Sequence, residues 1–492
     1  MTTAQIDHSL SFVDRILARA ATEPDTVLVR DRDSCWTAAR FGGLVAALAA
    51  RFDALGIGRG DVVALAAPVT PVALAARYAA GLLGCATVCC PYGEGAAKLA
   101  GFLAAVRPDV LVGFPGTGTI VESAVARGSV PTGIVLDRVH PDEVEPAVPP
   151  ASRSRADDLA LLVSSGGTTG VSKASRRTVA GWTRTVDTGM DRHRRQLVCT
   201  PLAYIAQVLV DQTLLGGGTV VLRDRFEPAE VLRTIETERI THLCLVEPLL
   251  VELLDSPDLS GADLSSLVAI SHIGADAAPS LRRRLLERAG PVLAHPYGAS
   301  EAGIVSMLAG PDYDLSRPEL LGTAGRPLPG VTVRLIRPDG SPAPAGTEGA
   351  VLVRSGGVAD GYRGGRERTP FRDGWYRTGD LAVLDESGYL HVRGRAKDAL
   401  HTPAGTVMPV DVQDVLCGRP DVRYAVAVSL GSRFGVVVLP APGATATAAE
   451  LRAYAAGRLG VDVVGPVVLA DRIPVTDQGK PDRVALRSLL DR

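Results

Sequence analysis

The feature that most constrains this chain is a loop of glycine and hydroxyl residues that directly follows a short apolar run. The apolar run spans Leu159 to Val163, and the loop from Ser164 to Lys173 has the sequence SSGGTTGVSK. A short apolar run that ends in turn residues predicts a buried strand. Glycines let backbone N–H groups approach an anion, hydroxyls add donors, and a lysine supplies positive charge. The pattern therefore predicts a strand that leads into a polyphosphate-binding loop.

The position of the lysine excludes one large class of nucleotide-binding protein. A P-loop places its lysine directly after the last glycine and a Ser or Thr directly after the lysine. Here Lys173 follows Gly170 by three residues, and Ala174 comes next. The chain is therefore not a P-loop NTPase. Taken alone, such a loop is also typical of an ordinary flexible connection, so the downstream sequence has to decide.

Further motifs follow the loop in a fixed order along the chain. They are YGASE from Tyr297 to Glu301, YRTGD from Tyr376 to Asp380, GYL from Gly388 leading to GRAKD from Gly394, and PVTDQGK from Pro474 to Lys480. With these motifs the chain resembles the adenylate-forming superfamily of acyl-CoA synthetases, peptide-synthetase adenylation domains and luciferases. The resemblance covers nearly all 492 residues, and the set of motifs is far more specific than any one of them.

Strand-like apolar runs alternate with Ala-rich helical runs, which predicts an α/β fold with mostly parallel sheets. The clearest alternation runs from Asp61 to Val112, and short strands with turns follow from about Gly325. We therefore expect a large N-terminal domain, residues 1–394, with helix-covered parallel sheets and a small β-rich subdomain. A small mobile α+β domain, residues 395–492, is expected after it.

Composition argues against several other classes of protein. The 52 basic residues nearly balance the 54 acidic ones, so no overall field favours nucleic acid or an anionic membrane. Seven cysteines without a Cys-x-x-Cys pair argue against a disulfide framework or a structural zinc site. The first ten residues have no signal-peptide pattern, and no apolar run is long enough to span a bilayer. We expect a cytoplasmic monomer or homodimer that binds neither nucleic acid nor membrane.

The resemblance implies that the protein uses ATP with Mg²⁺ and CoA as a substrate. Asp380 would accept both ribose hydroxyls, Arg395 would reach the ribose or a phosphate, and Tyr297 would stack on adenine. Ser172, where proline is usual, and Ala275 and Asp276 depart from the family pattern. The full set of expected nucleotide-binding residues is Ser165, Gly166, Gly167, Thr168, Thr169, Gly170, Lys173, Gly274, Ala275, Asp276, Tyr297, Gly298, Ala299, Asp380 and Arg395.

The same resemblance implies catalytic roles for a few residues. Lys480 would bridge the carboxylate and the α-phosphate and stabilise the charge that develops there. Glu301 would bind Mg²⁺, which usually needs only one or two carboxylates besides phosphate oxygens, and the hydroxyl of Ser300 would touch the α-phosphate. Lys397 would be the hinge about which the small domain swings, and Gly405 would border the tunnel for the pantetheine arm of CoA.

The pocket for the acyl group is less distinct in the sequence. Its expected lining is Tyr204, Ile205, Gln207, Ile273, Ala302 and Gly303; for Tyr204 a core position is an equal alternative. No aspartate stands at the start of the helix after Tyr204, where relatives that activate amino acids pair the ammonium group, and Asp211 is too far along. We therefore expect an aryl or bulky apolar acid rather than an amino acid.

The expected activity is that of an ATP-dependent acid–CoA ligase, in bacterial secondary metabolism, which forms an acyl-adenylate and then a CoA thioester. Three alternatives stay open. The chain could load the acid onto the phosphopantetheine of an acyl-carrier protein. It could perform one half-reaction beside a partner ligase, or it could be an inactive binding protein. The last is disfavoured because Lys173, Glu301, Asp380, Arg395 and Lys480 are all present.

Overall fold

The computed structural model describes residues 11–90, 93, 95–165, 173–203, 205–273, 278–364, 370–476 and 478–491. The chain forms two compact units. The first unit comprises residues up to Glu227 together with Thr234–Leu243 and Gly356–Arg372. The second unit comprises Pro228–Arg233, Cys244–Ser355 and the chain from Asp373 onward.

The helices of the described residues are α1 Phe12–Leu17, α2 Arg19–Thr22, α3 Ala38–Ala54, α4 Pro71–Leu82, α5 Ala96–Val106, α6 Gly118–Ala126, α7 Val179–Val186, α8 Ile205–Leu215, α9 Pro228–Thr237, α10 Glu247–Asp255, α11 Pro279–Ala289, α12 Pro409–Cys417, α13 Ala448–Leu459 and α14 Arg483–Leu490.

The strands of the described residues are β1 Val27–Arg30, β2 Cys35–Thr37, β3 Val62–Leu65, β4 Ala86–Cys89, β5 Val110–Gly113, β6 Thr132–Val135, β7 Leu159–Ser165, β8 Lys173–Thr178, β9 Arg195–Val198, β10 Thr219–Leu222, β11 His242–Leu245, β12 Ala269–His272, β13 Leu293–Ala299, β14 Gly303–Ala309, β15 Arg326–Pro327, β16 Thr332–Ile336, β17 Glu348–Arg354, β18 Phe371–Arg372, β19 Trp375–Leu384, β20 Leu390–Arg395, β21 Leu400–Thr402, β22 Gly405–Val407, β23 Val422–Ser429, β24 Phe434–Pro440 and β25 Val464–Leu469.

The first unit contains a six-stranded sheet in the order β6-β5-β3-β4-β7-β8. Its strands are parallel except for the antiparallel pair β7 and β8. Alternate residues of β3 enter different cores: Val63 and Leu65 pack in one, and Val62 and Ala64 in the other. Side chains alternate between faces along a strand, so both faces of this sheet are buried. Helix α4 covers one face, and α5 and α6 cover the other.

A second group of parallel strands in the first unit places β9 between β10 and β11, with β1 next to β10. The edge strand β2 pairs with β1 in the antiparallel direction. Helices α4 and α8 contribute to the same core as β1 and β10. Parallel strands covered by helices are what the alternation of apolar runs predicted.

The second unit carries the β-rich part of the chain. Strands β12 and β13 are parallel, and β13, β14 and β15 form an antiparallel meander. Strands β16, β17, β19 and β20 form an antiparallel sheet in that order. This sheet corresponds to the β-rich subdomain expected after Gly325, and the predicted α/β fold class is confirmed.

The last part of the second unit has a core of its own. Strands β23, β24 and β25 form a sheet, with β23 antiparallel and β25 parallel to the central strand. Buried side chains of α12, α13 and this sheet form one cluster, which runs from Val407 to Val464. The domain boundary at residues 394 and 395 stays a prediction, and this local core favours it. Within the described residues, the helices are too short or too polar to cross a membrane.

Candidate active site

The predicted phosphate loop connects two paired strands. Ser165 ends β7 and lies opposite Lys173, the first residue of β8, in an antiparallel register. The sequence therefore predicted the strand before the loop correctly. Gly166, Gly167, Thr168, Thr169 and Gly170 lie outside the described residues.

Lys173 lies over an aromatic ring that belongs to none of the sequence motifs. Its Nζ lies 5.5 Å from the centre of the Tyr362 ring, which is within the range of a cation–π contact. Backbone hydrogen bonds hold this arrangement, because Arg176 N–H donates to Gly361 O and Arg363 N–H donates to Ala174 O. The two residues are far apart in the chain, so no local pattern connects them.

The YGASE motif forms the tip of a β hairpin. Tyr297, Gly298 and Ala299 end β13, Gly303 starts β14, and the turn closes with the Ala302 N–H donating to Ala299 O at 3.0 Å. A Cβ atom on Gly298 would lie 2.4 Å from Gly303 O, so this close approach requires glycine. The hairpin thus fixes the positions of Ser300 and Glu301, and Glu301 is only 7% exposed.

Asp380 is held by residues from two other motifs. It lies opposite Arg395 in the register of β19 and β20, and Arg395 Nε is 3.1 Å from Asp380 Oδ1. The Tyr297 hydroxyl donates to Asp380 Oδ2 at 2.6 Å. Arg395 Nη1 also donates to Thr378 O at 2.7 Å. The structure therefore brings Tyr297, Asp380 and Arg395 together, as the motifs imply for a ribose site.

The electrostatics of this group follow from burial and close charges. Burial raises the pKa of Asp380, the guanidinium of Arg395 opposes that shift, and the carboxylate of Glu301 adds to it. Burial also lowers the pKa of Arg395, but Asp380 and Glu301 raise it overall. Burial, and then the charge of Asp380, raise the pKa of Tyr297 well above its ordinary value. Glu301 is thus close enough to act on Asp380 and Arg395.

Lys480 is carried on a tight turn. The Thr476 N–H donates to Lys480 O at 2.8 Å, and the Gly479 N–H donates to Thr476 O at 2.9 Å. Lys480 is half-buried. The loss of water around its ammonium group lowers the pKa of that group, and the positive charge of Arg395 lowers it further. Lys480 therefore belongs to the same charged group as Arg395, Asp380 and Glu301.

The predicted hinge residue and the predicted tunnel glycine follow Arg395 in the chain. Arg395 is anchored to Asp380, and Asp398 forms an ion pair with Arg483 at the start of α14. Lys397 lies between these two anchored residues, in an exposed single turn of 3₁₀ helix. Gly405 is exposed with a φ of 125°, a conformation that favours glycine.

Five of the six residues predicted to line the acyl pocket lie within the described part of the chain. Gln207 is buried and lines a small cavity of about 10 Å³ with Leu74, Arg77, Leu202 and Val210, which is about the size of one water molecule. Ile205 starts α8, Ile273 follows β12, and Ala302 and Gly303 belong to the β13–β14 hairpin. Tyr204, Gly274, Ala275 and Asp276 lie outside the described residues.

Asp211 on α8 is fully buried, and its carboxylate accepts hydrogen bonds from side chains of the core. Arg77 donates two hydrogen bonds of 2.7 Å to its carboxylate, and Tyr78 and Trp182 donate one each at the same distance. With four donors on two oxygens, this carboxylate is fully occupied by side chains of α4 and α7. Asp211 is therefore a structural residue, which agrees with the inference that it does not bind an amino-acid substrate.

Among the residues that the structure describes, no three His, Cys, Asp or Glu side chains cluster so that they could hold a metal ion. The buried Glu301, close to Arg395 and Asp380, fits the single carboxylate that a Mg²⁺ ion bound to ATP phosphates needs.

Comparison with known proteins places the chain in a family. A family model described as AMP-binding enzyme matches residues 16–363. A feruloyl-CoA synthase from an Amycolatopsis species is 33% identical over 479 residues, which cover 94% of this chain and 95% of that protein. The amide bond synthetase McbA from Marinactinospora thermotolerans has a solved structure with a TM-score of 0.86 and 32% identity, covering 97% of this chain and 99% of that one.

A third comparison concerns the fold alone. The anthranilate CoA ligase AuaEII in complex with anthranoyl-AMP has a TM-score of 0.87 at 21% identity, covering all of this chain and 99% of that one. The match of the family model over more than half of the chain agrees with the motifs. The chain therefore belongs to the AMP-binding enzyme family, within the adenylate-forming superfamily, and it is an AMP-forming ligase of carboxylic acids.

Proposed function

We propose that the protein is an acid–CoA ligase that joins an aryl or bulky apolar carboxylic acid to AMP and then to the thiol of CoA. The convergence of Tyr297, Glu301, Asp380, Arg395 and Lys480 in one charged group is the observation that carries the proposal. The similarity to a feruloyl-CoA synthase over 94% of the chain supports an aromatic acid and a CoA acceptor.

In the first step the carboxylate of the acid attacks the α-phosphorus of ATP, and pyrophosphate leaves. Two anions must approach each other, so the site needs fixed positive charge more than a base. Lys480 and Arg395 supply this charge, and Asp380 holds the ribose with oxygens that Tyr297 and Arg395 already orient. Glu301 would hold Mg²⁺, which neutralises phosphate charge.

In the second step the thiol of CoA attacks the acyl carbon, and AMP leaves. We propose that the part of the chain after Lys397 rotates about this residue between the two steps. The anchoring of Arg395 and Asp398 on either side of Lys397 supports a hinge there, because a hinge absorbs rotation at a few residues between fixed segments. Gly405 would border the path of the pantetheine arm.

Two other acceptors compete with CoA. A carrier protein presents the same phosphopantetheine thiol, so the residues of this chain favour neither. An amine is a second candidate, because the amide bond synthetase McbA is 32% identical over 97% of the chain. In both cases the acyl-adenylate forms first and Lys480 keeps its role.

An acceptor panel tests the proposal. The purified protein is incubated with MgATP, ferulic acid or other aryl and fatty acids, and one of three acceptors: CoA, a holo-carrier protein or a primary amine. We expect acyl-CoA and AMP in equal amounts, identified by mass spectrometry. Acyl-AMP that only the carrier protein or the amine consumes would contradict the CoA assignment. Absence of acyl-AMP with every acid would contradict the ligase itself.

A further inference from the structure

The turn that carries Lys480 packs on the start of α10. Gly479 has a φ of 76°, and a Cβ atom there would lie 2.9 Å from Val246 Cγ2 and 3.1 Å from Leu249 Cδ1. The backbone of Gly479 is therefore in direct contact with both side chains. Because Lys480 is the next residue, any shift of this contact moves the catalytic ammonium group.

Polar contacts join the same part of the fold to the segment around α12 and β23. Asp255, at the end of α10, forms an ion pair with Arg284, and its Oδ2 is 3.1 Å from Arg423 Nε. Arg284 Nη1 donates to Arg423 O at 3.1 Å. At the start of α11, the Ser280 N–H donates to Asp414 Oδ1 at 2.7 Å. Helices α10 and α11 thus hold residues 409–429 at several points.

A buried carboxylate lies at the same junction. Glu247, in the first turn of α10, is only 2% exposed. Burial, and then the charge of Glu247, raise the pKa of Tyr424 well above its ordinary value and that of Cys417 to about 12. Glu247 therefore lies close to Cys417 of α12 and Tyr424 of β23.

We propose that Val246 and Leu249 form a seat that positions Lys480 for adenylation, and that Asp255 and Asp414 hold the 409–429 segment while the seat is occupied. Val246, Leu249 and Asp255 are positioning residues, because they act through the Gly479 turn and touch no reacting atom. The inference rests on the proposed function in that Lys480 acts in the first step. Misplacing a catalytic group by about 1 Å can lower a rate about 100-fold.

The two half-reactions separate this role from a general structural one. For Leu249→Ala and Asp255→Asn, we expect the kcat of acid-dependent ATP–pyrophosphate exchange to fall at least about tenfold, with the KM for ATP changed less than about twofold. Formation of acyl-CoA from supplied acyl-adenylate should stay at the wild-type rate. Leu249→Met, which preserves the hydrocarbon contact, should restore most of the exchange. Equal losses in both half-reactions, or no loss in either, would overturn the proposal.

A matched control and a substrate-free readout complete the test. Leu469→Ala removes an exposed leucine from the sheet of the same 395–492 segment and should change neither half-reaction. Hydrogen exchange of the protein without ligands follows the Thr476 and Gly479 amides, which donate within the turn. We expect these amides to exchange several-fold faster in Leu249→Ala than in the wild type or in Leu469→Ala.

Unchanged exchange at these two amides would overturn the proposed seat, whatever the enzyme does with substrates. A wild-type protein that shows no ATP–pyrophosphate exchange with any acid would instead contradict the proposed function. The two failures are therefore distinguishable.

Discussion

The hydroxyl of Tyr297 donates a 2.6 Å hydrogen bond to one oxygen of Asp380, while Arg395 pairs with the other oxygen. The carboxylate is therefore oriented before a nucleotide arrives. The side chain of Thr378 is a third hydrogen-bond partner of the carboxylate, and with four lone pairs on its two oxygens the carboxylate can still accept a hydrogen bond from the ribose. The aromatic residue predicted to stack on adenine thus has a second task, which is to orient the residue predicted to bind the ribose.

Replacing this hydroxyl tests the second task alone. In Tyr297→Phe the ring stays and the hydrogen bond to Asp380 is lost, so we expect the KM for ATP to rise about tenfold, which corresponds to about 1.4 kcal/mol. Steady-state AMP formation measures this change. Tyr454→Phe, far along the chain in α13, is the control and should leave the KM unchanged. A KM for ATP unaltered in Tyr297→Phe would contradict the orienting role.

Lys480 should act as a cation, and its lowered pKa sets the pH at which this action is lost. Adenylation should fall as the pH rises through the pKa of Lys480, so the alkaline limb should lie below the ordinary value of 10.5. Arg395→Gln removes a positive neighbour and should move this limb to higher pH. The measurement is the pH profile of ATP–pyrophosphate exchange.

Lys480→Ala should lower adenylation by orders of magnitude and leave acyl transfer from supplied acyl-adenylate in place. Lys480→Arg keeps the charge but cannot lose a proton in this range, so any residual adenylation should show no alkaline limb. An identical limb in Lys480→Arg would assign the titration to another group.

Two stacked histidines in the second unit predict a loss of stability in acid. His272 and His295 are buried with their Nδ1 atoms 3.1 Å apart. Burial and the nearby Arg282 lower the pKa of His272 to about 3 and that of His295 well below its ordinary value. Below about pH 6.5 these histidines bind protons in the unfolded chain but not in the folded chain. The stability that depends on the two neutral histidines is therefore fully present above that pH and is lost as the pH falls.

The free energy of unfolding, measured by urea denaturation, should therefore decrease as the pH falls from 6.5 to 5. Once the pH is well below 6.5, the slope should approach about 1.4 kcal/mol per pH unit for each histidine. His272→Gln should reduce this slope, whatever it does to the stability at pH 7. His193→Gln, at an exposed position, is the control. A slope that is the same in wild type and His272→Gln would contradict the assignment.

The buried ion pair of Arg77 and Asp211 should contribute to the stability of the first unit. Asp211→Ala leaves the Arg77 guanidinium buried without its partner, so we expect a loss of about 3–5 kcal/mol of stability. The double variant Arg77→Met with Asp211→Leu removes both charges and should recover part of that loss, because the Tyr78 and Trp182 donors still lack an acceptor. Urea denaturation of the three proteins measures both effects, and a double variant no more stable than Asp211→Ala would contradict this account.

Local patterns in the sequence predicted those parts of the site that local structure determines. The strand before the phosphate loop follows from an apolar run that ends in turn residues, along one short stretch of the chain. The separate roles of Asp380, Arg395 and Lys480 at the nucleotide came only from the family resemblance, and the structure places the three residues close together.

Contacts between distant segments could not be predicted in this way. Three contacts join residues that no single motif spans. They are the hydrogen bond from Tyr297 to Asp380, the cation–π contact of Lys173 with Tyr362, and the packing of Gly479 on Val246. Such contacts depend on how whole sheets and helices pack, which periodicity and spacing do not specify. The roles of the phosphate-loop glycines and of Tyr204 stay predictions.

The most direct test of the central claim follows the oxygen atoms of the acid. The acid that gives the fastest AMP release is labelled with ¹⁸O in both carboxylate positions and incubated with the enzyme, MgATP and CoA. If an acyl-adenylate forms and CoA attacks its acyl carbon, one ¹⁸O must remain in AMP and the other in the thioester. AMP without ¹⁸O, or ADP with labelled phosphate, would contradict the account.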